Sequence, residues 1–184
     1  GSQSCSDKKT ETGVPLDGPH VLPGIDDAIK CFSSASSSYF FVLTKKGELF
    51  GCGSNSSGQL GLRNTDPQWL PSKVPIESIV PKIEVNKVST GKMHTMLLTK
   101  SGKVYCCGSN MAGASLGGQL GLPGQKSETH HFQLLDAFGG QAVTDIAAGH
   151  FHSLCCLKDG TAYSWGHPEY GQLGHGTTGA YIRE

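Results

Sequence analysis

The chain has 184 residues, no formal net charge, and low shares of hydrophobic (36%) and charged (16%) residues. Fifteen basic residues balance fifteen acidic ones, which argues against a global electrostatic attraction to nucleic acid and leaves only local patches. The 26 glycines argue against a helical bundle, because glycine favours turns and weakens helices. We therefore predict an all-β chain of short strands joined by tight turns.

The N-terminal part of the chain, residues 1–24, is a polar segment that precedes the folded region. It begins with Gly1-Ser2, which we interpret as the scar of a cleaved tag. The folded region is predicted to span residues 25–184. No apolar run approaches the roughly 20 residues that cross a bilayer, and no signal peptide is recognisable, so we expect no membrane partner.

Three copies of one repeat follow, at about residues 30–80, 81–140 and 141–184. A glycine turn recurs at Gly47, Gly102 and Gly160, with spacings of 55 and 58 positions. Because Asp-Gly or Ser-Gly between apolar runs is typical of a β-hairpin, each turn predicts a pair of strands. The predicted strands cover residues 69–74, 86–90, 95–99, 104–107, 131–135, 143–148, 153–157 and 162–165. About four antiparallel strands per copy correspond to one propeller blade.

A second signature, Gly-Gln-Leu-Gly, closes each copy at Gly58, Gly118 and Gly171. A third motif, Gly-x-x-His, occurs twice and begins at Gly91 and at Gly149. In register, these motifs resemble the regulator of chromosome condensation repeat. The third copy, with its His-Pro-Glu-Tyr loop, is similar to the second regulator-of-chromosome-condensation (telophase-disc) subfamily. We assign structural roles to the repeat positions Gly53, Gly58, Gly91, His94, Gly108, Gly118, Gly149, His152, Gly166 and Gly171.

The first copy departs from the pattern, since Ser36 and Tyr39 stand where Gly and His are expected. The resemblance implies a propeller that normally has seven blades, and this chain supplies three of them. Three blades cannot close a ring and leave an unpaired edge. We therefore expect a fragment of a longer protein, or alternatively a ring that another copy of the chain completes.

Several short motifs have a structural interpretation. The loop from Gly53 to Gln59 lacks the Lys and Ser/Thr of a phosphate-binding loop, and the sequence has no nucleophile elbow. The pair His150 and His152 has no third ligand at a suitable spacing, so we interpret His152 as a side chain that ties its blade together. The sequon at Asn55 is expected to be silent. We predict no catalytic residues, no metal and no cofactor.

The seven cysteines contain no Cys-x-x-Cys motif, and their number is odd. Both features argue against a disulfide framework and against a zinc knuckle. Several of the cysteines lie in apolar strand runs, where a free thiol behaves as a small buried hydrophobe. We expect an intracellular protein, in the nucleus, the cytoplasm or both.

The best candidates for partner binding are residues that differ between the copies at the loop tips. They lie in a five-residue insertion of the second copy and in the third-copy loop: Met111, Ser115, Leu116, His167, Glu169 and Tyr170. An equally simple interpretation is that these side chains pack on a neighbouring blade.

The resemblance implies a protein-binding propeller whose partner is a small GTPase, and guanine-nucleotide exchange without covalent chemistry. The alternative is a scaffold for chromatin, microtubules or other proteins that has no exchange activity. Chromatin binding would then depend on charged segments outside this chain, since the chain itself is neutral.

Overall fold

The structure, a computed structural model, describes residues 18–79, 83–113, 115–124 and 127–176. The two residues at the start of the chain, which we interpret as a tag scar, lie outside these ranges. Apart from a short 3-10 helix at Ile76–Ser78, the regular elements of the described residues are strands. In chain order they are β1 (Ala28–Phe32), β2 (Tyr39–Thr44), β3 (Leu49–Gly53), β4 (Gln68–Lys73), β5 (Val85–Thr90), β6 (His94–Thr99), β7 (Val104–Ser109), β8 (Met111–Ala112), β9 (Ser115–Leu116), β10 (Glu128–Leu135), β11 (Val143–Ala148), β12 (His152–Leu157) and β13 (Ala162–Gly166).

The strands form three successive antiparallel sheets, which we call the first, second and third blades. Their strand orders are β1-β2-β3-β4, β5-β6-β7-β10 and β11-β12-β13. The prediction of antiparallel four-stranded blades is confirmed in the first two blades, and the described part of the third blade has three strands. In each blade the first strand carries a β-bulge where it pairs with the second strand.

The second blade lies between the other two, and this position explains its composition. All six residues of β6 and all six of β7 are buried. Leu97 and Tyr105 belong to the core shared with the first blade, whereas Met96 and Cys106 belong to the core shared with the third. Because successive residues of a strand face opposite sides, a sheet covered on both faces needs an almost continuous apolar run.

The five-residue insertion of the second copy differs from the plain loop predicted for it. Met111–Ala112 and Ser115–Leu116 pair as a small antiparallel hairpin, β8–β9, with Met111 opposite Leu116. The hairpin extends beyond the end of β7, so it adds a projection that the first and third blades lack between their third strand and the Gly-Gln-Leu-Gly loop.

The third strand of every blade ends at a glycine with a positive φ: 110° at Gly53, 103° at Gly108 and 115° at Gly166. A Cβ atom added at Gly108 would lie 2.3 Å from the carbonyl oxygen of Met93 and 2.7 Å from the Cα atom of His94. The second and third strands of a blade approach each other so closely at this point that only glycine fits.

We expect Gly108→Ala to lower the free energy of unfolding by about 3 kcal/mol, because the new methyl group meets backbone atoms that cannot move aside. Gly160→Ala is the matched control, since its φ is 92° but no heavy atom lies within 4 Å of the added Cβ. The control should cost about 1 kcal/mol from backbone strain alone. Urea unfolding of the two variants measures the difference, and equal losses would contradict this account.

Candidate functional site: blade junctions and the loop-bearing end

The Gly-Gln-Leu-Gly loop of the first blade is braced by its own side chains. Asn55 Oδ1 accepts a hydrogen bond from the Leu60 amide at 2.9 Å, and Gln59 Oε1 accepts one from the Ser57 amide at 2.9 Å. In the second blade, Asn110 Oδ1 accepts from the Leu120 amide at 3.0 Å. Asn55 is fully buried. The loop therefore uses its polar side chains to hold its own backbone, as the structural interpretation of the sequence requires.

The main-chain carbonyl of the signature glutamine connects each blade to the next. The oxygen of Gln119 accepts from Ser153 Oγ at 2.8 Å and from Trp165 Nε1 at 3.0 Å. In the preceding junction, the oxygen of Gln59 accepts from Thr95 Oγ1 at 2.7 Å, and Cys107 Sγ lies 3.4 Å away. We call these two sets of contacts the blade junctions.

His94 completes the junction between the second and third blades. Its Nε2 atom lies 3.0 Å from Ser153 Oγ. Because Ser153 gives its single proton to the Gln119 carbonyl, His94 must donate from Nε2, which leaves Nδ1 unprotonated. Nδ1 has no hydrogen-bond partner among the described residues. His94 therefore ties two blades together.

The departure of the first copy from the family pattern has a structural counterpart. Tyr39 occupies the place of the histidine, and its hydroxyl donates to the main-chain oxygen of His94 at 2.5 Å. The same hydroxyl lies 3.0 Å from Thr95 Oγ1, just as His94 lies against Ser153. The phenol thus reaches the equivalent hydroxyl of the following blade, and the first junction is as complete as the second.

The junction groups are buried, and their pKa values reflect this. Burial lowers the pKa of His94 to about 3, and the neighbouring His152 contributes in the same direction. Burial also raises the pKa of Tyr39 far above its usual value. Both side chains are therefore neutral over the physiological range, which suits hydrogen bonds in an apolar surrounding.

His152 takes the equivalent position of the third blade and is half-buried, and burial lowers its pKa as well. Gly149 leaves room for its ring, as Gly91 does for the ring of His94: an added Cβ would lie 2.1 Å from His152 Cε1. His150 stacks on Phe151 with ring centroids 4.6 Å apart. No group of three His, Cys, Asp or Glu side chains within the described residues could hold a metal ion.

The loops that follow β3, β7 and β13 all leave the same end of their blades, because Gly53, Gly108 and Gly166 pair in the same register with the start of the second strand. We call this end the loop face. The other signature glycines, Gly58, Gly118 and Gly171, have φ values of 73°, 77° and 72° in these loops.

The predicted binding residues lie on the loop face. Tyr170 is 83% exposed, and Glu169 is exposed, with its Oε2 atom 3.7 Å from Nδ1 of the more buried His167. In the β8–β9 hairpin, Ser115 is exposed and Met111 is half-buried. The side chain of Leu116 lies outside the described part of the structure.

Two other exposed residues were missed in the sequence. Trp69 is 80% exposed on β4, the outermost strand of the first blade. Arg63, in the loop before β4, has a φ of 64°. Neither property could be predicted from one sequence. The residue pattern of β4 does not show which face of the strand is covered, and the positive φ of Arg63 is seen only in the backbone geometry.

The fold and the junctions define three consecutive blades of a β-propeller, each docked to the next through its signature loop. The model of the regulator of chromosome condensation (RCC1) repeat matches residues 46–98 and 101–156, and a second model of this repeat matches residues 85–113 and 143–172. The chain belongs to the family of proteins built from this repeat.

Among its relatives are RCC2 proteins, which confirms the resemblance to the second regulator-of-chromosome-condensation protein. The chain is 35% identical to the Protein RCC2 homolog of Xenopus laevis over 92% of the chain and 32% of the relative. It is 33% identical to human Protein RCC2 over 92% of the chain and 31% of the relative. The chain therefore spans about a third of the length of these relatives.

Solved structures share the fold. Prp20p from Saccharomyces cerevisiae superposes with a TM-score of 0.72 at 22% identity, covering 84% of this chain and 36% of that one. Human WBSCR16 superposes with a TM-score of 0.67 at 20% identity, covering 80% of this chain and 35% of that one. No helix in the described ranges is both long and apolar enough to cross a membrane.

We expect stability to fall as the pH drops from about 6.5 towards 3, because the unfolded chain then protonates His94 while the folded chain keeps it neutral. The free energy of unfolding of the parent chain should be lower at pH 4.5 than at pH 7.5. In His94→Gln, which retains a side-chain amide donor, this decrease should be smaller by about 2 kcal/mol. Denaturant unfolding at the two pH values measures this. An unchanged pH dependence in the variant would show that His94 titrates normally.

Proposed function

We propose that the loop face is a protein-binding surface and that its partner is a small GTPase, with guanine-nucleotide exchange as the outcome of binding. The observation that carries the proposal is the β8–β9 hairpin, which lies at the same end of the blades as Glu169 and Tyr170, the binding candidates of the third copy. Tyrosine side chains are among the residues that most often dominate the binding energy of protein interfaces.

The comparisons support the class of partner. The solved structure of Prp20p is described together with its binding to Gsp1p and histones, and another structure shows Kap60 bound to the same protein, named there as yeast RCC1. Proteins that share this fold thus bind other proteins. The family resemblance of the repeat supports a small GTPase among the possible partners of this chain.

Exchange on the propeller needs no nucleophile or metal in this proposal. A loop that binds the nucleotide-free GTPase more tightly than the nucleotide-bound form shifts the equilibrium towards release. The β8–β9 hairpin, which only the second copy carries, is the projecting element best placed for such a contact. An alternative without exchange, a scaffold for histones or other proteins, would use the same face but would not discriminate between the two GTPase forms.

The proposal is tested with a panel of small GTPases, in their GDP-bound and nucleotide-free forms, and with histones. We expect the chain to bind the nucleotide-free form of one GTPase at least tenfold more tightly than the GDP-bound form. That GTPase should also release a fluorescent GDP analogue faster when the chain is added. Binding of a GTPase without faster release, or binding of histones alone, would favour the scaffold. Failure of every GTPase to bind would contradict the proposal.

Within that assay, Tyr170→Ala should weaken binding by about tenfold, since a buried aromatic anchor contributes on the order of 1–2 kcal/mol. Trp69→Ala is the matched control, because Trp69 is equally exposed but lies on the outer strand of the first blade. Isothermal titration calorimetry measures both. A larger loss for Trp69→Ala than for Tyr170→Ala would move the binding surface away from the loop face.

A further inference from the structure

A polar groove of about 550 Å³ lies where the first blade meets the outermost strand of the second. Its walls come from Arg63 of the first blade and from five residues of β10: Glu128, Thr129, His130, His131 and Gln133. The two sides are fixed to each other, since the Arg63 amide donates to the His130 carbonyl at 2.7 Å. An added Cβ at Gly58 would lie 2.6 Å from His130 Cα, so the signature loop closes tightly on this strand.

Arg63 is held in a conformation that arginine rarely adopts. Its φ is 64°, in the left-handed region where side chains other than glycine are strained by about 1 kcal/mol or more. The third copy has glycine at the equivalent position, Gly176, with a φ of 72°. In the second copy the left-handed residue comes one position later, at Gly124. The first blade therefore tolerates strain in order to place an arginine where glycine would fit without strain.

The guanidinium of Arg63 is available to a ligand. Its Nη2 atom donates to Ser78 Oγ at 2.7 Å, which orients the group and leaves most of its five N–H donors for other acceptors. No ion pair joins Arg63 to a carboxylate within the described residues. Glu128, the carboxylate of the groove, lies 2.9 Å from His130 Nε2. An oriented and uncompensated guanidinium matches a carboxylate or a phosphate, which it can bind with two hydrogen bonds.

The groove also lies beside a strand edge. β10 is the outermost strand of the second blade, and no strand of the described residues pairs with its outer side. An extended peptide can add to such an edge through main-chain hydrogen bonds. The side chains along the groove are already ordered, because Gln133 Nε2 donates to Thr129 Oγ1 at 3.0 Å and Thr129 Oγ1 donates to the His131 carbonyl at 3.0 Å.

We propose that this groove binds an extended peptide segment of a partner protein, aligned along the edge of β10, with an anionic side chain of the peptide held by the guanidinium of Arg63. The site is separate from the partner contact proposed for Tyr170 and does not depend on it. The shared chemistry of the ligand is an oxyanion, which either a Glu carboxylate or a serine phosphate supplies.

The experiment uses immobilised pools of degenerate octapeptides that differ only in one fixed central residue: Glu, phosphoserine or Gln. We expect the chain to bind the Glu pool, the phosphoserine pool or both at least tenfold more tightly than the Gln pool. The tighter of the two anionic pools identifies the source of the oxyanion. Equal binding of all three pools, or no binding to either anionic pool, would overturn the proposal.

Arg63→Gly is the decisive variant, because glycine accepts the φ of position 63 and the fold should be retained. Its thermal unfolding midpoint should stay within a few degrees of the parent chain, while its affinity for the anionic pool falls to that for the Gln pool. Lys46→Gln, which removes an exposed positive charge from the β2–β3 turn at the opposite end of the first blade, should leave the affinity unchanged. Full retention of binding by Arg63→Gly, or an equal loss in Lys46→Gln, would contradict the assignment.

Hydrogen exchange locates the bound peptide independently of charge. A saturating amount of the preferred anionic pool should slow the exchange of amides in β10 and of the Arg63 amide region in the parent chain. Protection confined to the loop-face residues around Tyr170 would place the peptide elsewhere and overturn the proposal.

Discussion

The carbonyl oxygen of the signature glutamine accepts the hydrogen bonds that join one blade to the next. Their donors come from the following blade alone. Apolar faces of two sheets can pack in several offsets, because dispersion and burial have little directionality. Buried hydrogen bonds select one offset, since any other leaves a polar group without a partner at a cost of about 1–3 kcal/mol. The contacts of Gln119 with Ser153 and Trp165, closed by His94, therefore fix how the second and third blades meet.

This constraint explains which parts of the repeat vary. The histidine can be replaced by Tyr39 because the phenol also spans the junction: its hydroxyl donates to the main-chain oxygen of His94 and lies 3.0 Å from Thr95 Oγ1. The glycine three residues earlier makes room for the imidazole in the second and third copies, and the first copy, which has no imidazole there, has Ser36. Segments outside the junction contacts are free to differ, and the β8–β9 hairpin and Arg63 are both found there.

Much of the fold could be predicted from the sequence, because the strand pairs and turns repeat three times and each copy supports the others. The antiparallel blades and the family followed from Gly-Gln-Leu-Gly and Gly-x-x-His. The partner of His94 could not be predicted, since Ser153 is 59 residues away and the contact depends on how two sheets stack. The left-handed conformation of Arg63 could not be predicted either, because a sequence does not show the φ of a residue. The hairpin within the insertion was missed because strands of two residues leave no periodic pattern.

The most direct test of the account is a double-mutant cycle between His94 and Ser153, measured by urea unfolding at pH 7.5. His94→Phe and Ser153→Ala each remove one side of the pair across the second junction, and the cycle separates their interaction from the other contacts of Ser153. The account predicts a coupling free energy of about 1 kcal/mol or more. Additive losses in the double mutant would show that the two blades are joined by apolar packing alone and would contradict the central role of the junction.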